Sequence, residues 1–248
     1  MIRKLFVGAC VLGTVAAAAV AFEAGHLAPF VKAMSAAEGL DVSYTINQVG
    51  GTQTEYHVVL AKPNLASIDT PSKIITADGE FVTVYDKAKN TYFKKDQTTE
   101  ALNSLFEEDE LMVWRSFFDP KALDKVAKTT RVGSRRRRGE VLNAVSAQID
   151  AAGEFTVRFH LSQKDNLIRM AELISMEGNQ QKTKVLNVRS LSTKKPSAAM
   201  FVFQPPANST ELTEADLMAE WLDNDLDAAM ENAATFGKGV IIDFYADW

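Results

Sequence analysis

Hydrophobic and polar positions change period several times along the chain. Residues 27–39 carry Leu27, Phe30, Val31 and Met34 at helical spacing and predict a short amphipathic helix. After Gly39 the pattern alternates. Leu40, Val42, Tyr44 and Ile46 share one face, and Asp41, Ser43, Thr45 and Asn47 share the other. Gly50-Gly51 is a turn signal, and Tyr56, Val58 and Leu60 alternate after it, which predicts an antiparallel hairpin. Pro63, Asn64 and Pro71 then break the chain. Strands are expected at 73–76, 80–85 and 91–94, separated by the turn signals Asp78-Gly79 and 86–90.

The period changes again at 98–127. Leu102, Leu105 and Phe106, then Leu111, Met112, Trp114, Phe117 and Phe118, suit helices with one apolar face. Asp119-Pro120 predicts a third short helix reaching Val126. Strands are expected again at 128–132, 140–150, 154–161, 167–175, 182–191 and 200–203, and Pro205-Pro206 closes the module. Strands, a helical insert and more strands make an α+β domain. An antiparallel sheet of this many strands must curl. The helices at 27–39 and 98–127 would cover its concave face, enclosing either an apolar cavity or a filled core. A cavity there would suit a lipid or other apolar ligand.

The first residues alter this picture. Arg3 and Lys4 precede an uncharged run from Leu5 to Phe22, and Ala19, Val20 and Ala21 form a small-x-small cleavage pattern. Together they predict a secretory signal peptide over residues 1–21, cut near Ala21, and a periplasmic protein. The run is also about as long as a short membrane span, so an uncleaved anchor is the alternative. Cys10, the single cysteine, lies inside this segment, so a mature chain holds no disulfide. The hydrophobic fraction of 46% supports a sizeable core, and the net charge of −5 argues against bulk nucleic-acid binding.

The order of features over roughly 27–206 resembles the LolA-like superfamily of periplasmic carriers. The resemblance rests on the N-terminal helix, the paired strands, Lys62-Pro63-Asn64-Leu65, the stretch DGEFVTVYDKAKNTYFKK at 78–95 and the ending FVFQPPANSTEL at 201–212. It implies an incomplete antiparallel barrel with a helical lid over residues 22–206, holding an acyl chain or acylated protein. Residues 226–248, LDAAMENAATFGKGVIIDFYADW, resemble the opening of a thioredoxin-like domain of the DsbD-type thiol:disulfide interchange proteins. In that family a Cys-x-x-Cys pair follows the Trp, whereas this sequence ends at Trp248. The resemblance implies a fragment of a longer fusion, joined by a linker helix at 207–225. It also implies an envelope redox partner, with thiol:disulfide oxidoreductase activity confined to a chain that carries the cysteines.

Candidate chemistry is sparse. No residues have metal-ligand spacing, no serine sits in a nucleophile elbow, and neither a catalytic residue nor a cofactor is expected. Tyr44, Ile46, Tyr56, Val58, Phe155, Val157 and Phe159 are the sheet-side candidates to line a cavity; Trp114, Phe117 and Phe118 are the lid-side candidates. The same residues could simply pack as core. Arg135, Arg136, Arg137 and Arg138 are read as a turn between strands. They would be either a contact for anionic headgroups or a partner's acidic patch, or a solvated hairpin tip. The acidic run Glu107–Glu110 is read as solvated loop surface.

Overall fold

The computed structural model describes residues 25–48, 51–123, 126, 128–149, 155–178 and 180–213, together with 216, 226, 227 and 230. The signal segment read at 1–21 and nearly all of the thioredoxin-like stretch at 226–248 lie outside the described residues.

A short 3-10 turn, Gly25–Leu27, leads into helix α1 (Ala28–Ala36). Proline in its first turn suits the start of a helix, and Phe30, Val31 and Met34 form its buried stripe. Six strands follow: β1 (Gly39–Gln48), β2 (Gln53–Ala61), β3 (Leu65–Asp69), β4 (Lys73–Ala77), β5 (Phe81–Asp86) and β6 (Thr91–Asp96). The turns between them are built by side chains. Asp78 Oδ1 accepts from the Glu80 and Phe81 amides at 2.9 and 2.8 Å, beside Gly79 at φ +102°. β3 was not expected. It lies between Asn64 and Pro71, and its five residues are too few to show a period.

Helix α2 (Thr99–Ser104) begins where the Thr98 hydroxyl accepts from the Ala101 amide at 3.1 Å. A 3-10 helix at Met112–Phe117 comes next. Where a third helix was expected from Asp119 to Val126, the described residues 120–123 are turn. The chain returns to the sheet through β7 (Lys128–Arg137), β8 (Glu140–Gln148), β9 (Phe155–Ser162), β10 (Ile168–Glu177) and β11 (Gln180–Ser192). The expected strand at 200–203 is instead a 3-10 turn at Ala198–Phe201, started by the Ser197 side chain. β12 (Thr210–Leu212) follows, so the linker helix expected over 207–225 does not include these residues.

All twelve strands form one sheet in the order β12-β6-β5-β4-β3-β2-β1-β11-β10-β9-β8-β7. Every neighbouring pair is antiparallel except β12 with β6. The sheet is curled and unclosed, as the α+β reading of the sequence expected. β1 joins the two meanders, β1–β6 on one side and β7–β11 on the other, by pairing with both β2 and β11.

Alternation decides the faces. Leu40, Val42, Tyr44 and Ile46 of β1 are buried beneath the helices, with Val58 and Leu60 of β2 and Val157, Phe159 and Leu161 of β9. On the opposite, outer face, Phe201 covers Val59 and Ala61, and Phe203 packs on Tyr85 and Tyr92 at 6.3 and 5.1 Å. Thus the segment after β11 is a cover for the outside of the sheet rather than another inner strand.

Candidate functional site

The helix-covered face is built from three sources. The sheet supplies Tyr44, Ile46, Tyr56, Val58, Phe155, Val157 and Phe159; α1 supplies Phe30, Val31 and Met34; and the strap at 99–118 supplies Phe106, Leu111, Trp114, Phe117 and Phe118. All ten residues proposed from the sequence meet in this one hydrophobic cluster. Seven are buried, whereas Tyr56, Phe118 and Phe155 sit at its margin, partly buried. Tyr44 stacks on Tyr56 at 5.2 Å, as their direct cross-strand pairing allows, and Trp114 tilts against Tyr44 at 5.6 Å. Phe30 meets Phe159 at 5.8 Å, while Phe118 contacts Phe106 and Phe117 at 6.0 and 5.0 Å. Phe30, Met34, Phe106 and Leu111 join the same cluster although the sequence reading did not single them out beyond their helical spacing. That spacing marks a buried face but does not say what the face meets.

The strap is fastened to two strands that flank β1, β2 and β3 in the sheet, β4 and β11. Lys73 Nζ on β4 bonds Glu108 Oε1 at 2.7 Å, and Lys184 Nζ on β11 bonds Glu110 Oε1 at 2.7 Å. Between them the Tyr44 hydroxyl donates to the Glu110 carbonyl at 3.0 Å. Burial pushes the Tyr44 phenol well above its ordinary pKa, so it stays a donor. The acidic run at 107–110 is therefore not simply solvated surface, because Glu108 and Glu110 are the strap's anchors. Asp109 between them is pushed up by burial. A third tie comes from Lys62, at the end of β2. Its ammonium donates to the Ser35 carbonyl of α1 and lies 5.3 Å from the centre of the Phe117 ring. Burial lowers its pKa.

The arginine run stands apart from this trough. Arg135, Arg136 and Arg137 are not a turn but the last residues of β7; the turn is Arg138-Gly139, both at positive φ. The left-handed pair at 138–139 closes the hairpin on two residues, which lengthens both strands. Arg135, Arg136 and Arg138 are exposed and Arg137 is half-buried.

The outer face also holds an open cleft of ≈ 730 Å³ where β3 and β4 stop short of β1 and β2. Gln53, Glu55, His57, Asp69, Lys87 and Arg189 border it. His57 Nε2 pairs with Asp41 Oδ1 at 2.8 Å, and Lys87 pairs with Asp69 at 2.5 Å. Among the described residues no group of three or more His, Cys, Asp or Glu side chains could hold a metal ion, and no helix is long and apolar enough to cross a membrane.

No protein-family model matches this sequence, and a comparison with curated proteins also found no match. Solved structures do show a likeness. An uncharacterized conserved protein from Thermus thermophilus aligns over 75% of this chain and 98% of its own, with 9% identity and a TM-score of 0.49. The Pseudomonas aeruginosa MucA/MucB complex aligns over 82% of this chain and 67% of that chain, with 14% identity and a TM-score of 0.42. A LolA superfamily protein from Nitrosomonas europaea aligns over 71% and 97%, with 10% identity and a TM-score of 0.33.

Proposed function

We propose that this chain is an exported, periplasmic binding module for a lipid, an acylated protein or another apolar ligand. The acyl group would enter the trough between the sheet and the 99–118 strap. The observation that carries the reading is the construction of that strap. An apolar face lined by Tyr44, Val58, Trp114, Phe117 and Phe159 is closed by short helices whose loop is held to β4 by Lys73–Glu108 and to β11 by Lys184–Glu110. Partly exposed ion pairs contribute only about 0–1 kcal/mol each. The strap's main hold is its buried Phe106, Leu111, Trp114 and Phe117, so an entering acyl chain must replace those contacts, and its burial returns about 0.8 kcal/mol per methylene.

A dansylated fatty acid tests the reading. In a Trp221→Phe/Trp248→Phe background, Trp114 is the single indole and should transfer excitation to bound probe. Saturable binding is expected. Lys73→Ala/Lys184→Ala should speed association several-fold by releasing both anchors. Absence of saturable probe binding in the delipidated protein sinks the proposal.

A further inference from the structure

The register of β7 to β11 sets a row of residues across the outer face. Gly133, Ala144, His160, Met170 and Asn187 are successive cross-strand partners. Arg135 and Arg137, two and four positions beyond Gly133, extend their side chains over this row. Arg135 Nη2 approaches Met170 Sδ at 2.6 Å, and Arg137 Nη2 donates to Asn187 Oδ1 at 2.7 Å. Arg189 and Arg138 are close enough to act on the Arg137 charge, as Arg135 is on His160.

The carboxylates beside the row are already engaged: Glu172 by Arg158 at 2.8 Å and by His160 Nε2 at 2.9 Å, and Glu140, the cross-strand partner of Arg137, by Arg169 Nε at 3.0 Å. Among the described residues no carboxylate lies within ion-pair distance of Arg135, Arg137 or Arg189. Arg135 meets a thioether and Arg137 a neutral amide, and neither partner carries a charge to balance the guanidinium. Arg137 Nη1 and Arg158 Nε are buried without an acceptor. A buried, unmatched donor on a cation is costly, and the half-burial of Arg137 also reduces salt screening.

We propose that this arginine cluster on the outer face binds a phosphate-bearing anion, held by the guanidinium forks of Arg135 and Arg137 with Arg189 alongside. Two forks approaching from one hairpin suit a tetrahedral oxyanion with several acceptor oxygens. Arg189, whose Nη2 donates to Gln53 Oε1 at 3.5 Å, also borders the ≈ 730 Å³ cleft, where Glu55 and Asp69 would favour a carrier that is neutral or cationic beyond its phosphate. The site is on the opposite side of the sheet from the apolar trough and does not depend on it.

The test uses the full chain with two probes. Inorganic pyrophosphate is titrated calorimetrically, and vesicles of phosphatidylglycerol are compared with vesicles of phosphatidylcholine by flotation. Saturable pyrophosphate binding is expected, weakened roughly tenfold or more by Arg135→Gln/Arg137→Gln. It should be unchanged by Arg131→Gln, whose side chain bonds Asn143 Oδ1 at 3.2 Å instead. Capture by phosphatidylglycerol that pyrophosphate displaces identifies a lipid headgroup as the source; pyrophosphate binding without capture identifies a soluble phosphate. Should the double variant fail to melt as a folded protein, Arg137→Lys, which keeps the charge and loses the fork, takes its place and should weaken binding. No binding of either probe, or equal affinity in the arginine variants, overturns the proposal.

Discussion

His160 shows how one residue's surroundings reverse its ordinary behaviour. It is 3% exposed on a strand, flanked by Ala144 and Met170 and faced by Arg135, Arg158 and Glu172. Burial lowers its pKa, against the opposing hydrogen bond that it donates to Glu172, and Arg135 and Arg158 lower it further. The neutral ring donates from Nε2 to Glu172. Because the folded pKa lies below the unfolded value of about 6.5, the unfolded chain takes up the proton first as pH falls. Stability from this group is therefore full above about pH 6.5 and is lost as pH falls towards the folded pKa. Melting temperature measured from about pH 7.5 to 5 should fall more steeply in the wild type than in His160→Gln. Parallel curves would show that the residue does not titrate in this window. The sequence placed His160 on a strand but offered no sign that both of its faces would be covered. That depends on which long arginines reach across the sheet.

At the scale of elements, the outer cover after β11 is more specific than its composition suggests. A Cβ built on Gly39, the first residue of β1, would lie 2.6 Å from the Lys194 carbonyl oxygen and 2.8 Å from the Lys195 Cα, beside the Pro196 ring. These are backbone atoms and cannot swing aside. Gly39→Ala should cost about 1–3 kcal/mol in urea unfolding, by forcing β1 and the 194–196 segment apart. A change smaller than the measurement error would mean that the segment is not held there. Glycine at 39 reads in the sequence as the end of α1 and a period change. Its close approach to a segment more than a hundred residues away has no local signature.

For the molecule as a whole, the strap makes the two meanders one unit. Its anchors lie on β4 of one meander and β11 of the other, and Trp114 is fully buried against Tyr44 of the joining strand. Trp114→Ala removes the largest buried side chain of the core and should cost about 3–5 kcal/mol. Because the loss falls at the junction, a single denaturant transition with a lower midpoint is expected, followed by both fluorescence and circular dichroism. Two separated transitions would show instead that β1–β6 and β7–β11 fold independently.

The alternation along β1, β2, β8 and β9 determined which side chains share a face, because a strand can turn its residues only two ways. Helical spacing likewise determined the buried stripe of α1 and the apolar face of the strap. The ten aromatic and aliphatic candidates were legible for this reason. What only the tertiary structure decided was the meeting of segments distant in sequence. Among these are Glu108 and Glu110 as anchors on Lys73 and Lys184, the run after β11 as an outer cover, and Arg135 and Arg137 laid across His160, Met170 and Asn187. A charge run has no period, so its pattern carries no direction. Its partners are set by strand order and curl, which place β7 and β11 on one curved face although four strand pairings separate them.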